Sequence, residues 1–251
     1  MWFDSHCHLH LVEDDAGAVV ARCREAEVED LLTVGIDVES SRRAVALAHE
    51  HGVRAAVGLH PNSADEFSDG VMEALEALVQ DERVVAIGES GLDFYRDRAR
   101  PDKQLAAFSA HAALAKDRDK ALVIHTRDSL DEALTALERF GPPQRLVFHC
   151  FSGTPDQLRR ALDLGAFISF AGNVSFKSAE DLRRSAALVP GDRLLIETDS
   201  PFLAPVPKRG RPNEPAYVSY VGKAVAAARG VDERDVALAT TANARKLFGL
   251  A

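Results

Sequence analysis

The chain has 251 residues, 46% hydrophobic and 27% charged, close to a soluble globular average. Its 30 Lys and Arg against 39 Asp and Glu give a net charge of −9, which argues against a broad basic surface gripping nucleic acid non-specifically. Cys7, Cys23 and Cys150 form no CxxC pair, no apolar run approaches ~18 residues, and Met1 leads straight into Trp2-Phe3-Asp4; no disulfide framework, membrane span or secretory leader is expected, and a cytoplasmic protein is.

From the N-terminus, short runs rich in Val, Ile and Leu alternate with charged, periodic segments. Strands are expected at 1–6, 31–35, 54–59, 84–89, 121–125, 145–149, 166–170 and 193–197. Helices are expected between them at 15–28, 39–51, 65–80, 101–118, 128–139, 154–163 and 178–188, with two more near 214–229 and 232–247. Local signals agree: Thr154-Pro155-Asp156 is a capping residue followed by proline at the first helical position, and Gly52, Gly141 and Gly165 fall where helices should stop. Nothing between residues 1 and 251 reads as a linker or a repeat. Eight βα units in a chain of this length predict an α/β fold, a single (β/α)8 TIM barrel forming one domain over 1–251. A doubly wound open sheet would instead show GxGxxG after strand 1, and that motif is absent.

In such a barrel the chemistry gathers at the C-terminal rim of the strands. Six of the eight strands end in a histidine or carboxylate there: His6 and His8, His60, Glu89, His125, His149, and Asp199. Residues i and i+2 of a strand share a face, so His6 and His8 converge inward while Cys7 points away. A lone rim histidine is usually no more than a polar edge residue; six such groups at six registers are not coincidence. His6, His8, Glu89, His125, His149 and Asp199 together suffice for two divalent ions sharing a bridging carboxylate. Glu197 shares parity with Asp199 and could instead orient a neighbouring His or Arg. His10, His49, His51 and His111 lie beyond or beside these registers and read as solvated or packing residues, as do Cys7 and Cys150.

Taken in order, DSHCHL, GLHP, AIGESGLDFYR, IHTRD, HCFSG, ETDSPFL, GRPNEP and TANARKLFGL resemble the TatD family of metal-dependent deoxyribonucleases, amidohydrolase-like hydrolases with a TIM barrel. The likeness runs from Asp4 to Leu250. It departs from the family pattern at AKDRDKA, residues 115–121, where a glycine-containing turn and a proline before strand 5 are common. The resemblance implies one metal on His6, His8 and Asp199, a second on His125 and His149, and Glu89 as the bridge. It also implies that His60 meets the scissile phosphate. The activity implied is hydrolysis of nucleic-acid phosphodiesters, often from the 3′ end of single strands, with DNA repair as a suggested role. The substrate partner would be DNA, with RNA as a further option; no obligate protein partner is evident, and a monomer is expected.

On this reading Asp199 is both ligand and general base, Glu89 and His60 complete the catalytic set, and Arg127 binds phosphate oxygens beside His60. Arg127 could alternatively pair with Asp93 or Asp128. Tyr95 could stack on a base, and Phe94 packs. Asn213 and Glu214 border the substrate groove or fasten their loop, and KRGR at 208–211 sets positive charge beside the metals. The histidine-rich set suits Zn2+ or Mn2+, whereas Mg2+ prefers oxygen ligands. The competing reading is a hydrolase of the same fold acting on a small-molecule ester or amide, or on aminoacyl-tRNA esters. A carbamylated-lysine amidohydrolase is disfavoured because Glu89 stands at the strand-4 position.

Overall fold

The computed structural model describes residues 1–96 and 98–250. Eight strands run in chain order around one parallel sheet: β1 (Trp2–Cys7), β2 (Val28–Val34), β3 (Arg54–Val57), β4 (Val84–Asp93), β5 (Ala121–Arg127), β6 (Leu146–Phe148), β7 (Phe167–Phe170) and β8 (Leu194–Ile196). Seven helices alternate with them: α1 (Ala16–Glu25), α2 (Val38–His51), α3 (Asp69–Val79), α4 (Pro101–Asp117), α5 (Leu130–Phe140), α6 (Pro155–Asp163) and α7 (Glu180–Leu188). Then α8 (Val218–Arg229) and α9 (Glu233–Phe248) close the chain. This is the (β/α)8 barrel expected, and no described helix is long and apolar enough to cross a membrane.

The barrel has two apolar layers because strand side chains alternate. Ala121, Val123, Val147, Phe167 and Leu195 fill the inside, while Leu122, Ile124, Leu146 and Phe148 meet the helices outside. The bottom is plugged by α9: Ala244, Leu247 and Phe248 join the inner layer, and Phe248 stacks on Phe3 with ring centroids 5.8 Å apart. The opposite end therefore remains as the open mouth.

Ring closure is what sets up that mouth. β8 stops at Ile196, and the seam is made by the loop beyond it: Asp199 N–H donates to the His6 carbonyl (2.9 Å) and His8 N–H to the Ser200 carbonyl (2.8 Å). Asp4, fully buried, reinforces the seam by accepting from Thr198 N–H (2.8 Å) and the Thr198 hydroxyl (2.5 Å). Register shifts fall at Asp4/Cys7 in β1 and at Ile87/Ser90 in β4, beside the rim groups of both strands.

Several expected bounds shift in the structure: β2 begins at Val28 rather than 31, and α8 begins at Val218 after a 3-10 turn over Pro215–Tyr217. β4 runs to Asp93, four residues beyond its expected end at 89, because Leu92 and Asp93 keep pairing with Thr126 and Arg127 of β5. Gly91 permits this: at φ +149, a Cβ there would collide with the His125 carbonyl oxygen. The helix expected at 65–80 begins only at Asp69, capped by Ser68, and a 3-10 turn over Pro61–Glu66 precedes it. At the 115–121 junction, Asp119 takes the left-handed conformation (φ +46) that a glycine would otherwise supply, one of the few residue types that tolerates it.

Candidate metal centre

Glu89 lies at the middle of the mouth, 2% exposed, and its two oxygens face different partners. Oε2 lies 3.5 Å from His6 Nε2 and 3.7 Å from His8 Nε2. The two imidazole nitrogens are 3.2 Å apart, and Asp199 Oδ1 sits 3.8 Å and 3.5 Å from them. Tetrahedral ligands about 2.1 Å from a zinc-sized ion lie about 3.4 Å from one another. His6, His8 and Glu89 have spacings close to that, and Asp199 has them toward both histidines.

On the other side, Glu89 Oε1 lies 2.6 Å from His125 Nδ1 and 2.8 Å from His149 Nε2, and these two nitrogens are 3.1 Å apart. The second set is more contracted, at hydrogen-bond rather than ligand spacing. His6 and His149 stack across the division with ring centroids 4.0 Å apart. The donor set, imidazoles with carboxylates, fits divalent ions of the zinc and manganese kind.

The far sides of His8 and His149 are held by hydrogen bonds, whereas His6 Nδ1 is buried without a partner among the described residues. His8 Nδ1 meets the Val34 carbonyl at 2.8 Å, and His149 Nδ1 meets Glu197 Oε1 at 3.1 Å. A proton donated from Nδ1 leaves the Nε2 lone pair of each ring aimed at the centre. His125 is turned round: Nδ1 faces inward and Nε2 faces Asp93 Oδ2 at 3.5 Å, an ion-pair distance. Asp93 also accepts from Asn62 and from the backbone of Tyr95 and Arg96, so one carboxylate organises three rim segments.

His60 differs. Asn62 N–H donates to its Nδ1 (3.0 Å), which makes Nδ1 an acceptor and places the neutral ring's proton on Nε2. That nitrogen is 3.5 Å from Glu89 Oε1. Although His60, Glu89 and His125 lie close enough to be grouped as ligands, His60 presents an N–H to the cavity rather than a lone pair.

The electrostatics follow from burying carboxylates among imidazoles. Burial opposes ionisation of Glu89, yet His149, His60 and His125 hold its carboxyl well below the usual range. Burial likewise resists charge on His149, but Glu89 and Glu197 raise it well above the ordinary imidazole value. His8 and His125 are raised against their burial, chiefly through Asp199 and through Asp93 with Glu89 respectively. His60 is pushed down to about 3 by burial, which Glu89 only partly offsets, and so stays neutral. The carboxylates of Glu89, Asp93, Asp199 and Glu197 thus draw positive charge onto the imidazoles between them.

These groups open into a cavity of about 880 Å3, with Arg96, Arg98, Arg127, Asn173, Phe202 and Leu203 on its walls. Arg127 pairs with neither Asp93 nor Asp128; its guanidinium lies 3.9 Å over the ring of Tyr95, which is 58% exposed and, unlike Arg127, does not line the cavity. Asn213 is a correction to the expected substrate-binding set. It is 1% exposed and does not line the cavity, because its amide donates to the Thr198 and Phe202 carbonyls (2.9 and 2.5 Å) and fastens the loop after β8. Glu214 fastens the same loop to α1 through Arg22 (2.7 Å).

Of the remaining histidines, His49 pairs with Asp81 at the surface and His111 is buried in α4. His10 is half-buried, edge-on to His8, with no partner among described residues for either ring nitrogen. Cys7 lies in the outer core, while Cys150 lines the cavity. Sequence reasoning missed Asp4 and the organising role of Asp93. Asp4 carried a usable signal, since it stands at i−2 and i−4 from His6 and His8.

A family model described as TatD related DNase matches residues 3–249. YabD of Bacillus subtilis, named a metal-dependent hydrolase, is 36% identical over 252 residues, covering 99% of each chain. A 3′-5′ ssDNA/RNA exonuclease TatD of Klebsiella pneumoniae is 38% identical over 243 residues, covering 94% of this chain and 92% of its own. Among solved structures, the TatD homologue YjjV of Escherichia coli superposes with a TM-score of 0.93 at 30% identity, covering 100% of this chain and 98% of that one.

Proposed function

The chain belongs to the TatD related DNase family of metal-dependent hydrolases, and from that premise we propose that it hydrolyses phosphodiester bonds of single-stranded DNA from the 3′ end, using two divalent ions. The observation that carries this reading is the placement of Glu89, with one oxygen toward His6 and His8 and the other toward His125 and His149. The nuclease part is supported by the name of the Klebsiella relative, which acts on single-stranded DNA and RNA.

His6, His8 and Asp199 would hold one ion, His125 and His149 the second, with Glu89 between them. Bound ions would lower the pKa of the attacking water and neutralise charge developing on the phosphate. Asp199 shows one oxygen to His6 and His8, and its 15% side-chain exposure opens the carboxylate to the cavity, where it takes the water's proton. His60 donates its Nε2 proton to a non-bridging phosphate oxygen as a neutral hydrogen-bond donor; its low pKa keeps it from acting as a cation. Arg127, at the cavity wall, supplies a planar pair of donors to the same phosphate. A cavity of about 880 Å3 suits a strand end, since pockets for small ligands span ~300–1,000 Å3.

The test is cleavage of an end-labelled single-stranded oligonucleotide by metal-stripped protein, with Mg2+, Mn2+ and Zn2+ restored separately. The expected result is a metal-dependent ladder shortening from the 3′ end, abolished by Glu89→Ala and Asp199→Asn. An oligonucleotide left intact by a protein that still binds its ions would transfer the activity to small-molecule or aminoacyl-tRNA esters.

A further inference from the structure

Beyond the cavity wall, two loops of the rim run side by side. The turn after β7 carries Asn173 on the cavity wall and ends in Phe176, and the loop after β8 carries Phe202 and Leu203 on the wall before reaching Lys208, Arg209 and Arg211. The loops are clamped together. Val206 N–H donates to Ser175 Oγ (2.9 Å), and Gly172 is pressed so close to the Leu203 carbonyl oxygen that a side chain there would collide with it. On this shelf the Arg209 guanidinium lies 4.0 Å over the Phe176 ring, and the Lys208 ammonium lies 4.6 Å over Tyr217 and 5.6 Å over Tyr220.

We propose that this shelf is a second binding site, which holds the single strand behind the nucleotide being cleaved, with its phosphates on Lys208, Arg209 and Arg211 and a base stacked on the outer face of the Arg209 guanidinium. The inference rests on the nuclease reading above. Three observations carry it. First, no described carboxylate forms an ion pair with Lys208, Arg209 or Arg211, in a chain whose net charge is −9. Second, ring stacking presents Lys208 and Arg209 in fixed positions, and Arg209 stays exposed, which is how a strand-holding surface combines cations with flat platforms. Third, Arg211 is exposed and forms no ion pair with a described carboxylate; its charge acts on the Tyr217 phenol on the same shelf. The shelf continues the cavity wall at Phe202, 52% exposed, so a strand leaving the metal centre on that side meets an aromatic ring and then the three cations.

The experiment compares metal-loaded wild type with the triple variant Lys208→Ala, Arg209→Ala, Arg211→Ala on two substrates. A thymidylate decamer spans the cavity and the shelf; bis(p-nitrophenyl) phosphate reaches only the metal centre. The expected result is a roughly ten- to hundredfold loss of kcat/KM on the decamer, carried by KM, with turnover of the small diester unchanged. The plot of log kcat/KM against log salt becomes shallower by about 2, because each phosphate contact on a single strand contributes about 0.7 to the slope. Arg209→Lys keeps the charge and loses the plane, so it raises KM for the decamer while leaving the salt slope intact. An unchanged decamer KM overturns the proposal, and so does a parallel fall on both substrates. Wild type that hydrolyses the diester but neither binds nor cleaves the decamer overturns the nuclease reading and this inference together.

Discussion

Glu197 is fully buried, accepts from His149 Nδ1 (3.1 Å) and from Cys150 N–H (2.8 Å) with the same oxygen, and leaves Oε2 without a partner among described residues. It does not itself face Glu89, yet it fixes which nitrogen of His149 does and makes that ring more basic. Glu197→Gln keeps an oxygen acceptor and removes the charge, so divalent-ion affinity is expected to fall roughly 10–100-fold, read by competition with a chelator. Unchanged affinity would show that the orientation of His149 is set by its packing on His6 alone. At this scale the sequence shows the residue types, and strand parity places His125 and His149 on the inner face with Val123 and Val147; His6 and His8 lie at and beyond the register shift of β1 that leaves Phe3 inside and Cys7 outside, and Asp199 lies on the loop beyond β8. The sequence does not show tautomers. That His125 turns Nδ1 inward while His8 and His149 turn Nε2 inward depends on where Asp93, Val34 and Glu197 lie, and these come from other strands.

Among the elements, α4 and β3 are tied by a histidine that the sequence marks only as packing. His111 Nδ1 donates to the Ala107 carbonyl (2.7 Å), and its Nε2 accepts Leu59 N–H (3.0 Å), immediately before His60. Burial pushes this imidazole down to about 4. The sign follows from linkage: below about 6.5 the unfolded chain binds a proton that the folded chain refuses, so stability falls as pH drops, levelling off only below about 4. His111→Gln abolishes this acid sensitivity. Urea unfolding at neutral pH and at pH 5 should show the stability gap between wild type and variant narrowing by about 2 kcal/mol in acid. A gap that stays constant would mean the ring is not held neutral. Element order was legible because apolar runs and charged periodic segments alternate through the chain. Element ends were less so: β4 runs on to Asp93 because β5 offers it partners through Arg127, and β8 stops at Ile196. The seam beyond Ile196 is closed not by β8 itself but by Asp199 and Ser200 of the loop that follows it, against β1, and such pairing is contained in no local stretch of sequence.

For the whole molecule, closing the barrel brings Asp199 of the last strand's loop against His6 and His8 of the first, so the fold and the metal centre are completed by the same seam. An ion that binds there binds the folded chain and not the unfolded one. At a free concentration of 100 Kd this stabilises by about 2.7 kcal/mol, and for a chain of this size chelation should lower Tm by roughly 5–10 °C. The pH dependence of that drop can be signed. His8, His125 and His149 are raised in the folded state, so without ions they contribute stability that is present below about 6.5 and lost as pH rises through their folded values. Protons thus serve in acid as partial substitutes for cations among Glu89 and Asp199, and bound ions must displace them. The chelator-induced fall in Tm is therefore expected to be larger at pH 8 than at pH 6, and to vanish at both in Glu89→Ala, measured by thermal melts with and without chelator. A drop of equal size at both pH values would mean that the imidazoles carry no protons to exchange, and that the carboxylates of the empty centre are balanced some other way.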